Sequence, residues 1–162
     1  MAPGIRAVTV YRLSRWTLSQ PLWVRILFKP VTFIAQRRMT LQWGIEISPR
    51  ATIGRGLRIV HHGGIFIGSQ VVAGENLFLS HDVTLGLAGT GKNIGAPTLG
   101  NNVYIAPGAK IVGKIRVGNN VKIGANAVVD RDVPDNALVQ TSASRIVVFP
   151  SYASDTTSGE PT

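Results

Sequence analysis

At 162 residues the chain fits one domain with room for a buried core. It contains no cysteine, which excludes a disulfide frame, a thiolate metal site and a covalent route through a cysteine acyl-enzyme. Lys plus Arg number 17 against 8 Asp plus Glu, for a net charge of +9, and the excess is uneven. Residues 1–45 hold Arg6, Arg12, Arg15, Arg25, Lys29, Arg37 and Arg38 and no acid.

The first segment, residues 1–43, reads as a basic helical arm. Its strings VYRLSRW and PLWVRILFKPVTFIAQRRM have helical character, with Pro21 and Pro30 marking starts or breaks. Arg25, Lys29 and Pro30 interrupt the apolar stretches, so neither approaches the roughly 20 apolar residues needed to cross a bilayer. No clean apolar region ends in a small-residue cleavage site, and the chain reads as cytoplasmic. Two roles suit the arm. Its cations and Trp16, Trp23 and Trp43 fit a peripheral contact with an anionic membrane at the inner face. Alternatively the helices cap the segment that follows and bury the tryptophans. No nucleic-acid motif accompanies the charge, so nucleic acid is not an expected partner.

From residue 47 an apolar residue recurs at every sixth position: Ile47, Ile53, Ile59, then after a two-residue slip Ile67, Ala73, Leu79 and Leu85, and after an insertion Leu99, Ile105, Ile111, Val117, Ile123 and Val129. Glycine often follows, and a small or branched apolar residue commonly stands four positions on. A period of six matches neither a helix nor an amphipathic strand; it is the hexapeptide signature of a parallel β-helix. Each hexad makes one strand and one turn, with glycine or asparagine taking the strained turn backbone. Three hexads make a triangular coil, which predicts an all-β domain over residues 44–148. An antiparallel sandwich would not keep this register. The Ser-, Thr-, Gly- and Pro-rich segment 149–162 reads as a disordered tail.

Counting hexads in threes places those at 47, 67 and 85 on one face, 53 and 73 on the second, and 59 and 79 on the third. His61 and His81 then share an offset one coil apart, with His62 beside them, so all 3 histidines meet near one corner. Glu46, in WGIEIS, falls about one coil below, where a carboxylate can orient an imidazole. The slip, read at Ile65 and Phe66, immediately follows His62. A rigid histidine cluster with a carboxylate suits proton transfer; solvated turn histidines are the plainer alternative. Adjacent His61 and His62 point different ways, which argues against a metal site, and none is expected. The insertion GLAGTGKNIGAP, residues 86–97, is Gly-rich and carries Lys92, as a phosphate-binding loop would, but GTGK lacks the spacing of a complete P-loop.

The strings GIEISPRATIGRGLRIVHHGG, VTLG, GTGK, IAPGAKIVGKIRVGNNVKIGANAVV and VPDNALV together resemble the serine acetyltransferase-like branch of the hexapeptide-repeat acyltransferases. The resemblance implies a left-handed parallel β-helix, a homotrimer, and acetyl transfer from acetyl-CoA, as co-substrate, to a hydroxyl. By position it implies His62 as the base that removes the hydroxyl proton, and it puts Glu46 where the family has the aspartate paired with that base. It implies acceptor contacts from His61 and His81, and coenzyme A contacts from Gly89, Ala106, Lys122 and Ala125. Serine-specific members carry Asp-His where this chain has His61-His62, and Arg-His-Pro where it has Gly95-Ala96-Pro97. An amino-acid acceptor needs a partner such as arginine for its carboxylate, which Gly95 and Ala96 cannot supply. The His-His pair, the short cationic arm and VPDNALV look more like exopolysaccharide O-acetyltransferases of the colanic-acid type. The favoured acceptor is therefore a sugar or lipid-linked sugar hydroxyl. L-serine, on the path to cysteine, is the alternative, and a non-catalytic β-helix scaffold is the second.

Overall fold

The computed structural model describes residues 2–90 and 94–142; Lys92 and the segment 149–162 lie outside the described residues. Two helices come first, α1 (Pro3–Leu18) and α2 (Leu22–Trp43). The strands that follow build three parallel sheets. The first sheet stacks β1 (Ile45–Ile47), β4 (Ile65–Ile67), β7 (Thr84–Gly86), β10 (Lys110–Val112) and β13 (Val128–Val129). The second stacks β2 (Thr52–Ile53), β5 (Val72–Ala73), β8 (Thr98–Leu99) and β11 (Arg116–Val117). The third stacks β3 (Arg58–Ile59), β6 (Phe78–Leu79), β9 (Tyr104–Ile105), β12 (Lys122–Ile123) and β14 (Leu138–Val139). This is the parallel β-helix that the period of six predicts, with one coil per three hexads.

The register follows the hexads. Ile47 pairs with Ile67 and Ile67 with Leu85 in the first sheet, Ile53 with Ala73 in the second, and Ile59 with Leu79 in the third. Every sixth-position residue named above is buried except Ile59, which is partly buried, and together they form one continuous core. Each strand is too short to be stable alone, so stability comes from stacking apolar residues between coils.

The turns depart from the expectation in one respect. The glycines that directly follow inward residues do not take left-handed backbone; asparagines and an aspartate do, as at Asn76, Asn102, Asn120 and Asn136. Those glycines are needed for close stacking instead: a Cβ on Gly54 would lie 2.6 Å from the Gly74 carbonyl carbon. Asparagine supplies a side chain that bonds across coils. Nδ2 of Asn76 donates to Asn102, Asn102 to Asn120 and Asn120 to Asn136, each at 3.0 Å.

The arm is a cap. Ala7 and Tyr11 of α1 join the core, and the buried Tyr11 hydroxyl donates to the Ala51 carbonyl at 2.8 Å and accepts from the Ile53 N–H at 3.1 Å. Arg12 donates to the carbonyls of Ile53 and Gly54, and Arg15 to that of Ala51. These side chains satisfy carbonyls along the open end of the first coil. The tryptophans are not buried beneath the cap as the capping alternative expected: Trp16 is 47% and Trp23 71% exposed, and the partly buried Trp43 lies under the Arg6 guanidinium at 5.4 Å. Pro21 starts α2, as expected, but Pro30 lies inside it without ending it. Proline removes one intrahelical hydrogen bond. The Thr32 hydroxyl donates at 3.1 Å to the carbonyls of Phe28 and Lys29 in the same stretch. No helix among the described residues is long and apolar enough to cross a membrane.

Candidate active site

The candidate site lies at the corner where the third sheet turns into the first. Here each coil places one residue in left-handed backbone: Gly44 (φ 59), Gly64 (φ 64), Asp82 (φ 55), Gly108 (φ 76) and Asn126 (φ 57). The coils are knit by backbone bonds, from Ile65 N–H to the Gly44 carbonyl at 2.9 Å, Asp82 N–H to Gly63 at 2.7 Å and Gly108 N–H to His81 at 3.1 Å.

The slip seen in the sequence sits one step earlier than expected. Ile65 and Phe66 are regular residues of β4, paired with Ile45 and Glu46. The additional residues are accommodated in His61-His62-Gly63-Gly64, where Gly63 has φ 110 and has no other group near enough to meet a Cβ. Glycine lets the chain bulge outward at that point. The bulge presents His62 to solvent at the lip of an otherwise regular corner.

His61 and His81 meet edge to face with ring centroids 5.8 Å apart, as their shared offset predicts. All three histidines are exposed, and His62 adjoins the pair. Glu46 is exposed on β1, directly beneath Phe66 in the register. No hydrogen bond or ion pair joins Glu46 to His62 among the described residues. Glu46 instead lines a cleft of about 320 Å³ between the helices and the first coil, with Tyr11, Gln36, Arg37, Thr40 and Ser48. Gln36 Nε2 is buried there without a hydrogen-bond partner. No group of three His, Cys, Asp or Glu residues converges as a metal site among the described residues.

The residues assigned to coenzyme A fall in different places. Ala106 and Ala125 stand above His81 at the same corner, each directly after an inward residue or one position beyond it. Lys122 is exposed on β12, in register with Tyr104. Gly89 lies elsewhere. It belongs to the insertion that leaves β7 at the opposite edge of the first sheet, and Ala88 and Gly95 close the base of that insertion with paired 3.1 Å backbone bonds.

Two features escaped the sequence reading. Phe78 and Tyr104 stack at 4.9 Å and 27° on the outer face of the third sheet, below Lys122. Their signal was present, since each stands one residue before an inward position in NLFLS and NVYIA. Lys110 braces the corner by donating to the Asp82 carboxylate at 2.9 Å and its carbonyl at 2.7 Å. That pairing spans one coil and shows only once the register is known.

The site can therefore offer an exposed imidazole on a rigid corner, small residues above it, and an aromatic and cationic wall beside it. A family model described as bacterial transferase hexapeptide (six repeats) matches residues 96–131. The chain is 41% identical over 147 residues to a serine acetyltransferase of Helicobacter pylori, covering 90% of this chain and 81% of that protein. It is 38% identical over 147 residues to the serine acetyltransferase of Synechococcus elongatus, covering 90% of this chain but 57% of that longer protein. A serine acetyltransferase solved in complex with CoA superposes with a TM-score of 0.72 at 33% identity, covering 91% of this chain and 58% of that one. The chain thus spans little more than half the length of some of these relatives.

Proposed function

The chain belongs to the serine acetyltransferase family of hexapeptide-repeat proteins, and on that premise we propose that it transfers an acetyl group from acetyl-CoA to the hydroxyl of a small acceptor, with L-serine the first candidate. The observation that carries this reading is the placement of His62 on the glycine bulge, exposed beside the His61–His81 pair. An imidazole nitrogen of His62 takes the acceptor's hydroxyl proton as the oxygen attacks the thioester carbonyl. The carbon–sulfur bond breaks, and the proton passes from the imidazolium to the departing thiolate, so the cycle closes without an acyl-enzyme. General-base assistance of this kind contributes about 10²- to 10⁴-fold.

Glu46 is the carboxylate assigned to steady the imidazolium once its side chain turns from the helix-side cleft toward the corner. His61 and His81 are assigned to the acceptor. Ala106 and Ala125 leave the corner backbone open to the pantetheine chain, and the Lys122 ammonium suits a phosphate. Gly89 lies at the far edge of the first sheet, so a homotrimer in which one copy's insertion meets another copy's corner accounts for all four coenzyme positions together.

One observation favours a second reading of the acceptor. Gly95-Ala96-Pro97 provides no arginine for an amino-acid carboxylate, which supports a sugar hydroxyl, free or lipid-linked, as in the exopolysaccharide O-acetyltransferases. The relatives' names favour serine over this reading. The experiment is thiol release from acetyl-CoA with L-serine in parallel with sugars and nucleotide sugars. Turnover with serine alone establishes the first reading; turnover with a sugar alone replaces it with the second. His62→Ala is expected to lower kcat by about 10²-fold or more with its melting temperature unchanged. A His62→Ala enzyme with undiminished turnover removes the base assignment.

A further inference from the structure

The helix α2 is apolar on two sides. One side is accounted for: Val24 and Thr32 are buried, Phe28 meets Trp16 edge to face at 6.0 Å, and Met39 packs on the core. At about 100° per residue, the opposite side carries Leu22, Trp23, Ile26, Leu27 and Ile34, each more than half exposed. A surface helix ordinarily turns polar residues to water on that side. A contiguous apolar face of this extent marks a surface made to be covered.

The charges indicate what covers it. Arg25 and Lys29 flank the apolar face and Arg38 follows it toward the C-terminal end, while Arg37 stands at the rim of the cleft that Glu46 lines; all four are exposed. None of them makes a hydrogen bond or ion pair among the described residues, in contrast to Arg12 and Arg15, which are committed to the first coil. No acid occurs in residues 1–45 to offset them. Two copies pairing through this face about a two-fold axis would bring these cations together, which opposes that pairing, and the homotrimer proposed above joins the insertion to the histidine corner rather than to α2. α2, with its 22 residues, is not apolar enough to cross a bilayer, since Arg25, Lys29, Arg37 and Arg38 interrupt it.

We propose that the outer face of α2 lies in the interface of an anionic membrane, with Trp23 and the aliphatic side chains at the boundary of headgroups and acyl chains and Arg25, Lys29 and Arg38 among the headgroup anions. The last turn of α2 runs into Gly44, whose carbonyl bonds to Ile65 at the histidine corner. A membrane-laid α2 therefore fixes the attitude of that corner relative to the lipid. The inference stands whichever acceptor is used.

The test is co-sedimentation of the full chain with vesicles of phosphatidylcholine alone or with about 30 mol% phosphatidylserine. The protein is expected to bind the anionic vesicles at least about tenfold more tightly, and to be released as salt rises from about 0.1 to 0.5 M. The double variant Trp23→Glu/Ile26→Glu is expected to lose that binding with its circular dichroism and melting temperature retained, since both side chains are exposed. Absence of binding, equal binding to neutral vesicles, or full binding by the folded double variant overturns the proposal. So does light scattering that shows the wild type in a larger assembly which the double variant dissociates, because a second copy would then be the cover.

Discussion

Replacing Gly63 or Gly64 by alanine separates the positioning of His62 from the stability of the coil beneath it. Gly63 has φ 110 with open space where an added methyl would point, whereas Gly64 has φ 64 and a Cβ there would stand 2.9 Å from Asp82 Oδ1 and 3.0 Å from Asp82 Cα. Left-handed backbone costs an alanine about 1–2 kcal/mol. A φ near 110 lies beyond that basin, so Gly63→Ala carries about 1–3 kcal/mol of local strain. The bulge is exposed and relieves this strain by shifting, and the adjacent His62 shifts with it. For Gly64→Ala relief is blocked, because Asp82 is held by its N–H bond to Gly63 at 2.7 Å and by Lys110 at 2.9 Å. The expected outcome is asymmetric. Gly63→Ala loses about 10²-fold in kcat, the scale of a 1 Å misplacement, while its melting temperature falls by only about 2–4 °C per kcal/mol retained as strain. Gly64→Ala loses activity and more stability, since crowding adds to the backbone cost. Calorimetric melting alongside saturating thiol-release kinetics reads both quantities. A folded Gly63→Ala protein with kcat within about twofold of wild type refutes the view that this backbone holds the base.

Three further outcomes follow from the same architecture. Tyr11→Phe removes a buried hydroxyl that bonds the Ala51 carbonyl and the Ile53 N–H; it is expected to cost about 1–3 kcal/mol and to raise hydrogen exchange in α1 before the upper coils. Lys122→Ala is expected to raise KM for acetyl-CoA with kcat and melting temperature nearly unchanged, because the side chain is exposed and bonds nothing among the described residues; an unchanged KM removes it from the coenzyme site. Asp135 is held below the usual carboxylate range first by the backbone N–H of Asn119 and then by that residue's side chain; desolvation opposes this, and the Arg116 charge adds the smallest contribution. A depressed folded pKa stabilises above the unfolded carboxylate value, and that contribution disappears as pH falls through the folded value. Melting temperature should therefore drop on acidification below the ordinary aspartate range, about 3.9, and Asp135→Asn should flatten that part of the profile.

The solenoid was legible because each hexad repeats the same physical demand. An inward residue must be apolar wherever three sheets enclose a narrow core, so the position of Ile67 or Leu85 can be read without knowing its neighbours. Face assignment follows from counting in threes, and the count alone brings His61 and His81 together. The location of the slip was harder. Ile65 and Phe66 break the count, but the count cannot say whether strand or corner absorbs two residues. Burial decides it: moving Ile65 into the corner would expose a side chain that is 1% accessible, whereas Gly63 and Gly64 bulge with little backbone strain.

The arm was less legible because its sequence shows one cationic segment where the structure makes two. Arg12 and Arg15 lie among the buried positions Ala7, Tyr11 and Ser14 of α1 and spend their charge on carbonyls of the first coil, an edge that exists only because a stack of coils must end somewhere. Arg25, Lys29, Arg37 and Arg38 sit on α2, whose inner side is already satisfied by α1 and the core. Composition assigns the same meaning to both sets, since nothing local to an arginine tells whether its partner lies far along the chain or outside the molecule. The distinction comes from the geometry of the end cap. Once α1 takes the coil edge, Arg25, Lys29 and Arg38 of α2 border an exposed apolar face while Arg37 stands at the cleft beside Glu46, and the two halves of one basic segment acquire separate work.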